Sequence, residues 1–218
     1  MGHTFQSGLN LDNVERQNKK MSNNPSDILV EAFLHDPLFE HLWPDTEQRA
    51  KQLKTVMDFL LSFATKKVFM KDSDGQLAGI IGAFSPGKYP PSFLDSMILL
   101  TKMPWIIGKM LWNSSWQAMK KLKNILKKIE TIHPHQPHWY IMVIGVKHSH
   151  QGKKIGWKLI EPILLKAYEQ QVIVYLECSN PRSLQFYLKL GFEVKEELIP
   201  FEGCPSIWGL IREPKALL

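Results

Sequence analysis

The residues best placed to do chemistry lie between Val146 and Gly156, where VKHSHQGKKIG joins the apolar run HWYIMVIGV to an amphipathic one. A buried strand, a turn bearing Gly152 and a helix start together make a place for an anion. First-turn N–H groups have no intrahelical acceptors and carry the positive end of the helix dipole. Gly152 and Gly156 would let that backbone come close to a phosphate, although glycines at such a place also serve turns and packing. The nucleotide-triphosphate pattern GxxxxGK(S/T) is not met, because Lys147 holds the first glycine position and Lys154 the hydroxyl position. GxGxxG is not met either, so NTPase and dinucleotide chemistry lose ground.

The second informative stretch is LECSNPRSLQFYLKLGFEV, Leu176 to Val194, in which Asn180 before Pro181 reads as a helix N-cap. Five histidines crowd one region, His133, His135 and His138 in IHPHQPHW and His148 and His150 in KHSHQ, and invite a metal reading. Prolines between the first three argue against a helical ligand pair, and no metal is expected. Cys178 and Cys204 form no CxxC and have no histidine at finger spacing; both are expected as free thiols in a reducing compartment.

Together, QGKKIG and LECSNPRSLQFYLKLGFEV resemble the Gcn5-related N-acetyltransferase (GNAT) superfamily. Its loop pattern is (Q/R)xxGx(G/A), and its later helix carries an Asn and a Tyr ahead of a Leu-Gly-Phe ending. Gln151, Ile155 and Gly156 match the loop, whereas Lys154 stands where the family has its middle glycine. The likeness is closest to puromycin-N-acetyltransferase-like bacterial and fungal enzymes, through HWYIMVIGV and a C-terminal Pro-x-x-Trp-x-x-x-Arg formed by Pro205, Trp208 and Arg212. It covers residues 133 to 214 strongly and thins upstream to an Asp-Pro and the strand LAGIIGAF.

The resemblance implies an α+β mixed-sheet acyl-CoA N-acyltransferase fold and transfer of acetyl from acetyl-CoA to the primary amine of a small molecule by direct attack. It implies that the backbone of Val143, Ile144, Gly145 and Val146, on a splayed strand, serves the pantetheine arm. Gln151, Gly152, Lys153, Lys154, Ile155 and Gly156 would hold the pyrophosphate, and Asn180 would cap its helix or touch the arm. Tyr187 would be the general acid that protonates the departing thiolate. Glu177 would take the amine's proton, with a structural salt bridge as the equal alternative for that carboxylate. Glu31 and Asp36 are alternative liners of the acceptor pocket. A covalent route through Cys178 is not expected, since the sequence places no histidine beside it. The rival functions are a protein N-terminal or lysine acetyltransferase, and a noncatalytic acyl-CoA-binding sensor or interaction module.

These residues must be positioned by elements the patterning makes legible. Helices are expected from Pro25 to about Asp36 and from Thr46 to Ala64, a hairpin from Val68 to Lys71 and Leu77 to Phe84, and a strand from His138 to Val146. A helix from about Lys153 to Gln170, carrying Pro162, is expected to kink or start late. Val172 to Leu176, a helix from Pro181 to Leu190, and strands at Phe192 to Leu198 and Ser206 to Ile211 complete the order. Residues 1–24 are expected as a flexible segment, with a short strand near Thr4 to Leu9 left open, and 25–218 as a single domain with a helical insert at about 92–132.

The chain has 218 residues and a formal charge of +6, which taken alone points to nucleic acid or an anionic surface. Seven lysines stand against Asp95 and Glu130 between Ser92 and Ile132, so the excess belongs to that insert. From Trp116 to Ile129, Met119, Leu122, Ile125, Leu126 and Ile129 fall on one side of a helix and five lysines on the other. A solvated lysine face is the default, with weak contact to a membrane surface or acidic partner as its accessory use; no nucleic-acid partner is expected. Trp105, Trp112 and Trp116 would line an amine pocket or pack in the core. The run MILLTKMPWIIGKMLW is too short and too often interrupted to span a membrane, and no signal peptide is seen, so a cytoplasmic location is expected. Oligomeric state is not legible.

Overall fold

The computed structural model describes residues 24–89 and 116–216, with Pro104 and Gly108 between them. The N-terminal segment and the possible strand near Thr4 lie outside the described residues. So do Trp105, Trp112 and nearly all of the insert before Trp116.

Three helices open the described chain: α1 (Pro25–Phe33), α2 (Pro37–Leu42) and α3 (Thr46–Phe63). Each begins on a side-chain cap, because the sequence supplies an acceptor one residue ahead of each first turn. Asn24 accepts the N–H of Ser26 at 3.2 Å, Asp36 that of Leu38 at 3.0 Å and Asp45 that of Gln48 at 2.7 Å. Helix α2 escapes sequence periodicity because six residues make fewer than two turns.

The sheet follows with β1 (Lys66–Lys71), β2 (Leu77–Phe84), β3 (Trp139–Val146), β4 (Val174–Cys178), β5 (Glu193–Leu198) and β6 (Ile207–Arg212). The order is β1-β2-β3-β4-β6-β5, antiparallel except for β3 beside β4. The hairpin and the central place of LAGIIGAF are as expected: seven of its eight residues are buried. Strand β4 begins two residues later than its apolar run, because Val172 and Ile173 close the preceding loop.

Helices α1 to α3 and α4 (Trp116–Ile132) cover one face, and α5 (Ile155–Gln170) and α6 (Pro181–Lys189) cover the other. Ile28, Leu29, Leu53 and Met57 pack with Ile80 and Val143 under α1 and α3, while Leu159, Ile160, Ile163 and Leu164 of α5 pack with Ile81, Ile141 and Leu176. Each such burial is worth about 1.5–3 kcal/mol. Helix α4 buries Ala118 and Ile125 against Trp43 and Ile207 and leaves Lys120, Lys123, Lys127 and Lys128 exposed. Leu126, expected on the apolar side, faces solvent instead at 57% exposure. Helix α5 runs through Pro162 without ending there. No helix among the described residues is long and apolar enough to cross a membrane.

Two features of β3 shape the site. Its register against β2 slips between Gly82 and Ala83, so that Ile141 opposes Ala83, Val143 opposes Gly82 and Met142 is the extra residue of a bulge. Ile141 and Ile144, three apart, therefore both pack with the α5 cluster, while Val143 turns to α1. Against β4, the pairing consists of Trp139 with Val174 and Tyr140 with Tyr175 and goes no further. The strands part from there on.

Helix α1 closes one side of that gap by resting on Gly145, where an added Cβ would meet Leu29 Cδ2 at 2.8 Å and Ala32 Cβ at 3.1 Å. Gly145→Ala should therefore lower stability by about 1–3 kcal/mol, seen as an earlier urea midpoint with an unchanged slope.

Candidate active site

Among the described residues, the β4-facing edge of β3 has no strand partner beyond Tyr140, and the chain leaves β3 through a short 3₁₀ turn, His148–His150, to reach α5. The turn is held from outside: the Lys147 N–H donates to Ala78 O at 3.0 Å and the His148 N–H to Glu31 Oε1 at 2.6 Å. Glu31 thus supports the loop and does not line the cleft. The Gln151 N–H is spent on His148 O at 3.2 Å, and its side-chain amide on Val146 O at 3.3 Å. Anion contacts from this loop therefore fall to residues 152 to 157.

Gly152 has φ +78°, and Lys154, the N-cap of α5, has φ 59° and ψ 13°. The glycine missing from the loop pattern is thus replaced by a lysine that takes the left-handed conformation a glycine would adopt, at a cost of about 1–2 kcal/mol. The backbone path survives the substitution. Among the described residues no side chain caps α5, so its first-turn N–H groups keep their positive end toward the loop. Gly156 lets α5 approach α6: a Cβ there would stand 3.1 Å from Phe186 Cζ.

Loop, strand edge and both helix layers enclose a cleft of about 620 Å³. Of the residues expected from sequence, it brings together Ile144, Gly145, Val146, Gln151, Gly152, Lys154, Ile155, Gly156, Asn180 and Tyr187. Lys153 is exposed and outside the lining, and Val143 is buried beneath α1, so only its backbone is near the gap. Asn180 caps α6, accepting the Arg182 N–H at 2.9 Å, and lines the cleft as well.

Tyr187 projects from α6 between Phe186 and Phe192, with ring centroids 5.3 and 5.7 Å away, and is 7% exposed. Burial holds its phenol above the ordinary tyrosine range, with Cys178 and Asp36 adding to the effect. It is a proton donor throughout the neutral range. The carbonyl of Tyr187 accepts from Leu190 and Phe192, and Arg212 Nε donates to Leu190 O at 2.9 Å, which ties the end of α6 to β6. The Cys178 thiol donates to Asn180 O at 3.2 Å and is pushed up to about 11, chiefly by burial. A thiol in that state is a poor nucleophile.

Glu177 is not among the cleft-lining residues. It points to the α4 side of the sheet, where its Oε1 lies 3.4 Å from His133 Nδ1. His133 Nε2 is 3.1 Å from His138 Nε2, and His138 Nδ1 is 2.7 Å from Gln136 O. Tyr140, Tyr175 and Tyr89 pack around the same imidazole. Glu177 thus lies within hydrogen-bond distance of an imidazole, away from the residues that line this cleft. His148 and His150 do reach the cleft, but among the described residues no three His, Cys, Asp or Glu side chains group to hold a metal.

Two side chains acquire a place that spacing alone did not assign. Asp36, weighed from sequence only as a possible pocket liner, is 4% exposed and lines the cleft. Ser179, unassigned in sequence, donates its hydroxyl to Asp36 Oδ1 at 2.8 Å and so ties the α1–α2 junction to the β4–α6 loop. The signals were present as Asp-Pro after an amphipathic helix and Ser before an N-cap, but only the fold makes them neighbours. Trp116, by contrast, is 77% exposed and away from the cleft.

Comparison with known proteins agrees with this geometry. The model of the acetyltransferase (GNAT) family matches residues 31–192. An uncharacterized N-acetyltransferase of Schizosaccharomyces pombe is 28% identical over 178 residues, 78% of this chain and 70% of that protein. Among solved structures, a histone acetyltransferase HPA2-related acetyltransferase from Corynebacterium glutamicum has a TM-score of 0.58 at 20% identity, covering 88% of this chain and 90% of the other. Arylalkylamine N-acetyltransferase 2 from Aedes aegypti has a TM-score of 0.55 at 14% identity, covering 91% and 96%. The chain belongs to the GNAT family of acetyltransferases, and the mixed sheet with its parted strands is that fold.

Two measurements probe the site's local physics. Lys154→Gly should retain the loop path and raise stability by up to about 1 kcal/mol in urea, because the left-handed strain is removed. Both thiols should resist iodoacetamide at pH 8 in the native protein, while the urea-unfolded chain takes up label at both of its two cysteines.

Proposed function

We propose that the enzyme takes acetyl-CoA as donor and transfers the acetyl group to the primary amine of a small molecule by direct attack. The observation that carries this reading is the parting of β3 and β4 beside an uncapped helix start, with a buried phenol on the wall of the same cleft.

The residues present fit such a donor. The amides of Gly152 to Trp157 and the end of the α5 dipole suit a diphosphate, with Lys154 adding charge at the lining and Lys153 from outside it. The unpaired edge of β3 from Val143 to Val146 supplies backbone donors and acceptors for an amide-rich arm, except that the Val146 carbonyl is already engaged by Gln151. An N–H of that edge aimed at the thioester oxygen would stabilise a tetrahedral oxyanion by a few kcal/mol. Tyr187 supplies the proton that the departing sulfur needs. Burial keeps its phenol protonated at neutral pH, and Phe186 and Phe192 pack against its ring. Cys178 stays a thiol, which supports direct attack over an acyl-enzyme.

The acceptor side is bounded by Phe33 and Asp36 of the α1–α2 region, an apolar ring and a carboxylate within one cleft. That composition, an apolar ring beside a carboxylate, favours a small ammonium. Glu177, held by His133 outside the cleft, is left as a positioning group for the α4 side of the sheet.

Tyr187→Phe should lower kcat by one to several orders of magnitude, measured as thiol release across an amine panel, while calorimetric affinity for acetyl-CoA stays near that of the parent. A fully active variant would remove Tyr187 from the mechanism. Turnover with peptide N-termini or lysines but with no small amine would replace the acceptor class and leave the donor reading in place.

A further inference from the structure

An aliphatic amine is protonated at neutral pH and must lose a proton before it can attack, so a base is required on the acceptor side. Among the described residues that line the cleft, Asp36 is the one carboxylate. It enters from the junction of α1 and α2 into the cleft that Tyr187 also lines, and its charge is one of those acting on that phenol and on Cys178. Glu177 acts instead on Tyr89, His138, Tyr140 and Tyr175, a separate group of side chains on the α4 side.

The carboxylate is also held in place. The Leu38 N–H at 3.0 Å and the Ser179 hydroxyl at 2.8 Å both donate to Oδ1, and the Phe39 N–H adds a further backbone hydrogen bond to the carboxylate. The N-cap role explains the first bond. It does not explain the second, which reaches 143 positions along the chain to the loop that leads into the Tyr187 helix. Burial raises the Asp36 carboxyl above the ordinary aspartate range, against the lowering effect of the Ser179 and backbone hydrogen bonds. A base so placed is better matched to an ammonium than an exposed aspartate would be.

We propose that Asp36 is the general base of this acetyltransferase and Ser179 its positioning residue. The inference rests on the donor and acceptor classes given above. The acceptor ammonium gives one proton to Asp36, becoming a neutral amine whose lone pair forms the new C–N bond at the thioester carbon. As the C–S bond breaks, Tyr187 gives its proton to the sulfur. The nitrogen sheds its second proton, which restores the phenol, and the proton on Asp36 leaves to solvent with the product. One proton is released for each acetyl group moved, and no oxidant or further reactant is needed.

The test compares Asp36→Asn, Asp36→Glu, Ser179→Ala and Glu177→Gln in full-length protein, using acetyl-CoA and the best amine of the panel. Asparagine keeps the α2 cap, so D36N should fold and bind acetyl-CoA with parental affinity by calorimetry. Its kcat should fall about 10²–10⁴-fold, and its rate should climb with pH as free amine accumulates, without the parental acid limb. D36E should recover part of the loss. S179A removes a hydrogen bond that favours the charged carboxylate, so its acid limb should move to higher pH. A purely structural Ser179 would leave that limb where it was. Should D36N fail to fold, the S179A shift decides. Parental kcat and an unmoved acid limb in D36N, or loss of that limb in E177Q instead, would overturn the assignment. Absence of acetyl-CoA binding by the parent protein would sink the donor reading, a different result from an active enzyme indifferent to Asp36.

Discussion

The arrangement depends on two strands that stop pairing. Between β3 and β4 only the first two residues of each meet, and everything after Tyr140 and Tyr175 diverges. Unpaired backbone inside a sheet is costly to leave unmet, so such a gap persists only where other elements hold it open or a ligand completes it. Here β2 holds β3 along its whole length and β6 holds β4, while α1 rests on Gly145 and α5 on the far side. The bulge at Met142 lets β3 serve both layers, sending Ile144 and Val146 to α5 and Val143 to α1. Without that slip, alternation from Ile141 would put Val143 on the α5 face and Ile144 on the α1 face.

From this gap the chemistry follows by position. The helix start with its left-handed Lys154 lies at one end, an uncapped dipole facing a loop that has already used the Gln151 N–H internally. Tyr187 and Asp36 both line the cleft, the phenol dry enough to keep its proton and the carboxyl weakened in its acidity by burial. Ser179 ties Asp36 to the loop that leads into the Tyr187 helix through a single hydrogen bond. A proton donor and a proton acceptor thus share one cleft. Cys178, though adjacent, is disarmed by burial.

Much of this was legible in the residues themselves. LAGIIGAF and HWYIMVIGV are apolar beyond strict alternation, and both are central strands, as continuous hydrophobic runs require. The turn from Val146 to Gly156 and the Asn-Pro start before Tyr187 announce their helix termini through glycine, proline and cap chemistry, and both termini meet at the cleft. What escaped was everything set by distance along the chain. Glu177 ends its strand where a base was sought, but alternation along β4 turns it away from Leu176 and Cys178 and toward His133. Asp36 and Ser179 are neighbours only because α1 folds back over β3. Leu126 sits on the apolar half of a helical wheel, yet the partner surface for α4 is narrower than that half, and solvent takes the remainder.

The claim at the centre is that the free edge of β3 and the first turn of α5 together receive the donor. Hydrogen–deuterium exchange on the intact protein, with and without saturating coenzyme A, tests it at the level of individual segments. Slowed exchange concentrated in residues 143–146 and 152–157, with little change in β1 and β5, is the expected result. Binding that protects other segments and leaves those amides unaltered would contradict the account.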